Sequence, residues 1–252
     1  MNEIACRANL TAYHARDRDQ RFTLLLTDIL VTSPLVRTTR LTVAYRRYLT
    51  SANSPQFAAE VDEYYSAATL ASLLRRSDVE MRRAAALSLG MLGDHSSIES
   101  LGQALSDSDR GVRLASDDSF RALLVRDAAP RHHQQLLQVM HLNDGGEYAA
   151  ALAPTMILVD QAPRYSEAHH QLAICWQGLD NVRQAETSFR ACLWHCRYHY
   201  LAWQGLSRCR MMQRDYEGAI SSLRHCVEIC PDIENSRAQI RVLERRLRQT
   251  DA

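Results

Sequence analysis

The 252-residue chain contains no lysine; all 30 of its basic side chains are arginine. That absence excludes Schiff-base chemistry and any phosphate-binding loop built on a lysine. An excess of charge of one sign is missing as well. Thirty basic residues against 29 acidic ones leave a net charge of +1, so no global field draws in nucleic acid or an acidic membrane. Long apolar runs are lacking too. The most apolar stretch, Phe22 to Val31, carries Asp28 and is too short to cross a bilayer. Met1 to Arg21 are mixed and charged, without the basic start and apolar middle of a secretory signal. Seven cysteines without such a signal give no complete disulfide framework and point to a reducing, cytoplasmic setting.

What the chain has instead is repetition. From Ser166 to Ile233 one 34-residue unit is written twice, matching His169 with Trp203, Leu172 with Leu206, Ala173 with Ser207, Ala185 with Ala219 and Phe189 with Leu223. Three cysteine pairs, Cys175 with Cys209, Cys192 with Cys226 and Cys196 with Cys230, keep the same offset. A period of this length marks a solenoid, in which each unit buries its apolar face against its neighbours. Within a unit, Leu172 and Trp176, then Ala185, Phe189 and Cys192, recur at helical spacing, so two helices per unit are expected. Gly178 to Asn181 and Gln213 to Asp215 interrupt the pattern as turns.

The unit resembles the tetratricopeptide repeat. Trp203, Leu206, Tyr216, Ala219, Leu223 and Pro231 carry the resemblance in the second copy, and Leu172, Ala173, Trp176, Ala185 and Phe189 in the first. Pro163 marks the end of an earlier, degenerate unit over about 132–165, which keeps Ala151 but has Gln135 and Gln138 where later copies have core residues. Arg197 stands where Pro163 and Pro231 stand.

Between Ala67 and Val125 the period is 31: Leu70 returns as Leu101, Leu74 as Leu105, Asp78 as Asp109, Met81 as Val112, Arg82 as Arg113, Ala84 as Ala115 and Leu89 as Phe120. The aspartates fall where a carboxylate can accept the free backbone donors of a helix start. Ser96 and Glu99 have capping-box spacing. This pair of units is similar to the short HEAT-like repeats. Some relatives of those repeats are bilin lyases, and others bind metal through histidine-glutamate pairs. None of the ten histidines here precedes a glutamate.

These periods predict an all-α solenoid: a helical N-terminal cap over 1–60, HEAT-like repeats over 61–127, and tetratricopeptide repeats with a capping helix over 132–250. In the cap, Ser33–Pro34 and Ser54–Pro55 read as helix starts, and Leu41, Tyr45, Tyr48 and Leu49 fit one helical face. The short junction Ala128 to Arg131, with Pro130, suggests stacked modules in one curved body.

Catalytic, metal and cofactor sites are not expected. Cys192, His195, Cys196 and His199 could gather zinc ligands, but 34 residues on the cysteines return while the histidines become Ile229 and Ile233. Packing therefore accounts for the cysteines, which act as small buried hydrophobes. Asp94, His95 and Ser96 are consecutive in a loop without an oxyanion motif, which favours turn duty.

The function expected is that of a non-catalytic scaffold or adaptor for a partner protein or peptide. In the resembled family the first helices of successive repeats line a concave groove. Carried onto this sequence, that stripe is His133, Leu136 and Met140, then Glu167, His170, Ile174 and Gln177, then Leu201, Gln204, Arg208 and Met211. The family's clamp for a C-terminal carboxylate has no counterpart, because its positions hold Leu136, Met140, Gln171, Leu201 and Gly205. A nucleic-acid-binding solenoid is the alternative suggested by Arg75, Arg76, Arg82 and Arg83, and a bilin-lyase-like enzyme or chaperone is a further one.

Overall fold

The computed structural model describes residues 39–250. The Ser33–Pro34 helix start, the apolar stretch at Phe22 to Val31 and most of the 1–60 cap lie outside the described residues. The described residues from Arg40 onward form a compact unit of their own. The described residues form thirteen helices and no strand, so the chain is an all-α helical-repeat protein.

Helices α1 (Arg40–Ser51) and α2 (Ser54–Tyr64) form a hairpin that packs on the first HEAT-like unit. Leu41, Ala44, Tyr45 and Tyr48 are its buried face. Asn53 caps α2, its side chain accepting from the Gln56 amide at 3.1 Å, with Pro55 in the first turn. The cap therefore sits one residue ahead of the Ser54 expected.

The HEAT-like units are α3 (Ala67–Arg76) with α4 (Val79–Leu92), and α5 (Ser97–Ala104) with α6 (Arg110–Arg126). Asp78 accepts from the Met81 amide at 3.0 Å, and Asp109 from the Val112 amide at 2.8 Å. Ser96 makes no capping bond. Asp94 takes over, accepting from the Ser96 amide at 3.0 Å and from its hydroxyl at 2.6 Å, so this turn is built on the aspartate. The arginine cluster is largely consumed within the fold. Arg82 forks onto Asp107 at 2.8 and 2.9 Å, Arg83 onto Asp109 at 2.9 Å, and Arg75 donates to Ser100 at 2.9 Å. Fork-to-fork pairs of this kind hold adjacent units in register, and they leave fewer cations for a phosphate backbone.

The tetratricopeptide-like half consists of α7 (Pro130–Asp144) with α8 (Tyr148–Gln161), α9 (Ser166–Gly178) with α10 (Val182–His195), α11 (Tyr200–Met212) with α12 (Tyr216–Ile229), and α13 (Ser236–Thr250). Gly146, Asp180 and Arg214 all have positive φ, between 57° and 76°, at 34-residue intervals. The amide that follows each closes back on Leu142, Trp176 and Arg210, at 2.8, 2.9 and 2.9 Å. The degenerate first unit thus keeps the turn geometry of the others. At Gly146, a positive φ comes without steric cost. His169 and Trp203 also do one job with different rings, each hydrogen-bonding a carbonyl six residues back, Pro163 at 2.8 Å and Arg197 at 3.0 Å.

The two halves share a core and do not simply continue end to end. Helix α6 runs across the turns between successive units. The Tyr165 hydroxyl donates to the Val125 carbonyl, the Tyr200 hydroxyl donates to Asp117 at 2.6 Å, and Arg113 forks onto Asp232 at 2.8 and 3.0 Å. From Val125 back to Arg113 is about 18 Å of helix at 1.5 Å per residue, the span over which three turns are met. Cys196, Tyr200, Cys226 and Cys230 join the buried cluster built by Leu101, Leu105, Val112 and Phe120. Arg113 is the 31-residue counterpart of Arg82, which pairs with the following HEAT-like segment; Arg113 has no such segment ahead and pairs with the last repeat turn.

Two stability effects follow. Leu206→Ala, at a position 2 % exposed, should cost about 2–4 kcal/mol through the cavity it leaves. A double-mutant cycle on Arg113→Ala and Asp232→Ala, read by urea denaturation, should return a coupling of about 1 kcal/mol; additive single effects would show that α6 does not hold that turn through this pair.

Candidate binding groove

Helices α9 and α11, the first helices of consecutive units, enclose an open depression of about 670 Å³. Ile174, Leu201, Met211 and Phe189 supply an apolar floor; Gln177, Gln204, His170 and Arg208 supply polar groups. Two glycines let the walls close in. A Cβ on Gly205 would lie 2.2 Å from the Phe189 ring, and one on Gly178 would lie 2.2 Å from the Tyr148 ring. Arg208 is exposed and, among the described residues, bonds only Gln204, at 3.4 Å.

Of the stripe expected from the sequence, His170, Ile174, Gln177, Leu201, Gln204, Arg208 and Met211 line this depression. The remainder are elsewhere. Leu136 is fully buried against Leu158, Tyr165 and Ala168, with Met140, Val125 and Ala128 packed around that cluster. It is apolar because the end of α6 covers the degenerate unit, so it plugs a core where its counterpart His170 meets the groove. The His133 ring bonds the Arg126 carbonyl at 3.0 Å. Glu167 is 7 % exposed and lies beneath the groove.

Glu167 is the centre of a buried polar network. Its carboxylate accepts from Gln171 Nε2 at 2.8 Å and pairs with His170 Nδ1 at 3.2 Å and His199 Nε2 at 3.0 Å. Beyond Gln171, Asn143 Nδ2 donates to Gln171 Oε1 at 2.9 Å, and the Cys175 thiol donates to Asn143 Oδ1 at 3.1 Å. Each donor points towards the carboxylate, so α7, α9 and the start of α11 are tied by one polarised chain. Burial alone would raise the Glu167 pKa, but His170 and His199 outweigh it and hold the carboxyl well below its usual range. His199 is pushed down, chiefly by burial and then by the neighbouring His170.

Glu167, His170 and His199 are also the one metal-ligand triad that converges among the described residues. The hydrogen bonds argue against an ion there. His199 Nδ1 accepts from the Ala202 amide at 3.2 Å, so neutral His199 carries its proton on Nε2, the nitrogen a metal would need. The sequence constellation of Cys192, His195, Cys196 and His199 does not converge among the described residues. Burial pushes the Cys192 thiol well up, and those of Cys196 and Cys226 to about 12, which leaves them protonated and unreactive. Ser96 donates to Asp94, while His95 pairs with Asp127 at 2.8 Å, so those three loop residues form no relay.

Tyr148, Gly178, Phe189, Gly205 and Met212 in the groove, and Asn143, Gln171 and His199 in the network, lie outside the stripe expected from the sequence. The signal for the network was present. Glu167, Gln171 and His199 are polar where the next unit has Leu201, Gly205 and Ile233, so repeat packing does not demand them.

Residues 56–121, from α2 through most of α6, match the family model of HEAT repeats. No curated protein matches the sequence. Among solved structures, the complex of the TPR2AB domain of yeast Sti1 with pHSP90 is similar at a TM-score of 0.40 and 14 % identity, over 81 % of this chain and 88 % of that one. The chain is thus an all-α helical-repeat protein whose residues 56–121 match HEAT repeats, and its 34-residue helix hairpins resemble the tetratricopeptide repeat. No helix among the described residues is long and apolar enough to cross a membrane.

The network sets an acid limit on stability. His199 and Glu167 both have depressed folded pKa values, so their contributions are present above the unfolded values of 6.5 and 4.5 and are lost as pH falls through the folded ones. Urea midpoints should therefore fall below pH 6.5 and again below pH 4.5; flat midpoints from pH 7 to 4 would show that neither group is linked to folding. Glu167→Gln should cost roughly 2–4 kcal/mol by leaving buried donors mismatched. Elemental analysis should find no stoichiometric zinc, with helicity unchanged by chelator, whereas one zinc per chain lost together with helicity would overturn the tautomer argument.

Proposed function

We propose that this chain is a non-catalytic scaffold that holds a peptide segment of a partner protein in the depression between α9 and α11. The observation that carries the reading is the groove itself: an apolar floor, flanked by amides that can bond a peptide backbone, with Arg208 available to pair with an acidic side chain. Such a mix of apolar area and a few convergent polar groups suits a bound segment. Gln171 and Gly205, at two of the family's carboxylate-clamp positions, are taken up by the Glu167 network and by the Phe189 contact, so recognition here differs from capture of a chain terminus. The protonated thiols and the engaged Ser96 fit a role without chemistry. The six cysteines among the described residues are free and buried, which fits a reducing cytoplasm.

The test is a double substitution, Gln204→Glu with Arg208→Glu. Both positions lie on the groove wall, so thermal stability should stay within about 1 kcal/mol of the parent. Binding of the protein recovered by affinity capture and mass spectrometry should weaken. A variant that stays folded and binds as before would remove the groove as the working surface and leave the HEAT-like half as the better candidate.

A further inference from the structure

Helix α8 presents an apolar outer face. Met156 is 51 % and Ile157 54 % exposed, and Ala149, Ala150 and Ala153 beside them are exposed as well. Repeat packing does not explain this face. The second helices of the three units are in register at 34-residue offsets, and the next two units carry polar groups at most of the same places. Ala149 becomes Arg183 and Glu217, Ala153 becomes Thr187 and Ser221, Met156 becomes Arg190 and Arg224, and Ile157 becomes Ala191 and His225. Where α10 and α12 face solvent with charge, α8 keeps side chains that gain from being covered.

The order of small and large residues along the face indicates what covers it. Three alanines precede one methionine and one isoleucine, so the face is small at its start and bulky at its end. If a second identical helix is laid antiparallel on it about Ala153, Ala149 shares a layer with the partner's Ile157, and Ala150 with the partner's Met156. Ala153 then meets the partner's Ala153 at the centre. Every bulky side chain falls beside an alanine, and the small centre lets the helices approach closely. A two-fold pair requires this property, that residue i meets j while j meets i. We infer that the outer face of α8 is a self-association surface, through which two copies of this chain pair antiparallel about Ala153. The inference is independent of the groove reading.

Five exposed side chains make a patch smaller than the roughly 800 Å² per partner of a standard stable interface. The dimer is therefore weak and concentration-dependent. Sedimentation velocity of the full chain over about 5–200 µM should show a monomer–dimer equilibrium. Met156→Arg, which installs the residue used at this position by both later units, should weaken it at least about tenfold with helicity intact. Ile157→Arg should do the same, and adding Ala149→Glu to it should restore the dimer by pairing opposite charges in the shared layers. Ala153→Cys should cross-link two chains under mild oxidation, and Thr187→Cys, its counterpart on α10, should not. A chain that stays monomeric throughout, a dimer indifferent to Met156→Arg and Ile157→Arg, or equal cross-linking by the two cysteine variants would overturn the proposal.

Discussion

The structure depends on one helix lying across a set of turns. A repeat array joined only through neighbouring units can twist at each junction, since every unit touches only the one before and the one after. Here α6 contacts the turns at Tyr165, Tyr200 and Asp232 through three different bond types, and buried side chains of both halves form one cluster beneath them. Rotating one unit against the next would have to break contacts with a helix belonging to another module. The HEAT-like half thereby holds the turns of the tetratricopeptide-like half in place.

This bracing bears on the groove. A depression between two first helices keeps its shape only if the helices keep their spacing. Two features hold it: α6 at the turns, and the Glu167 network below the floor, which ties α9 to α7 and to the start of α11. A buried carboxylate with three donors is tolerable because each bond offsets part of its desolvation. A surface held in this way would lose little freedom in the binding proposed for it, so less of the contact energy would be spent on ordering it.

The same period that reveals the packing residues also isolates the others. Cysteines that recur are buried, as at Cys192 and Cys226. Residues that break the period mark local business: Glu167, Gln171 and His199 in the network, and Met156 and Ile157 on the outer face of α8. In a solenoid, departure from the repeat is thus a guide to whatever is not packing.

Helix positions, the all-α class, the two periods and the N-caps at Asp78 and Asp109 could be read from the sequence, because each depends on residues within one or two turns of one another. The arrangement of the two halves could not. Arg113 and Asp232 are 119 residues apart, and no local pattern says that an arginine at the end of one array meets a turn at the end of another. The expected groove stripe divided for the same reason. Ile174, Leu201 and Met211 line the depression, whereas Leu136, at an equivalent place in its unit, is closed over by Val125 and Ala128. A period tells which face of a helix a residue occupies; what lies against that face is decided by the tertiary fold, because burial is set by neighbours distant in the chain.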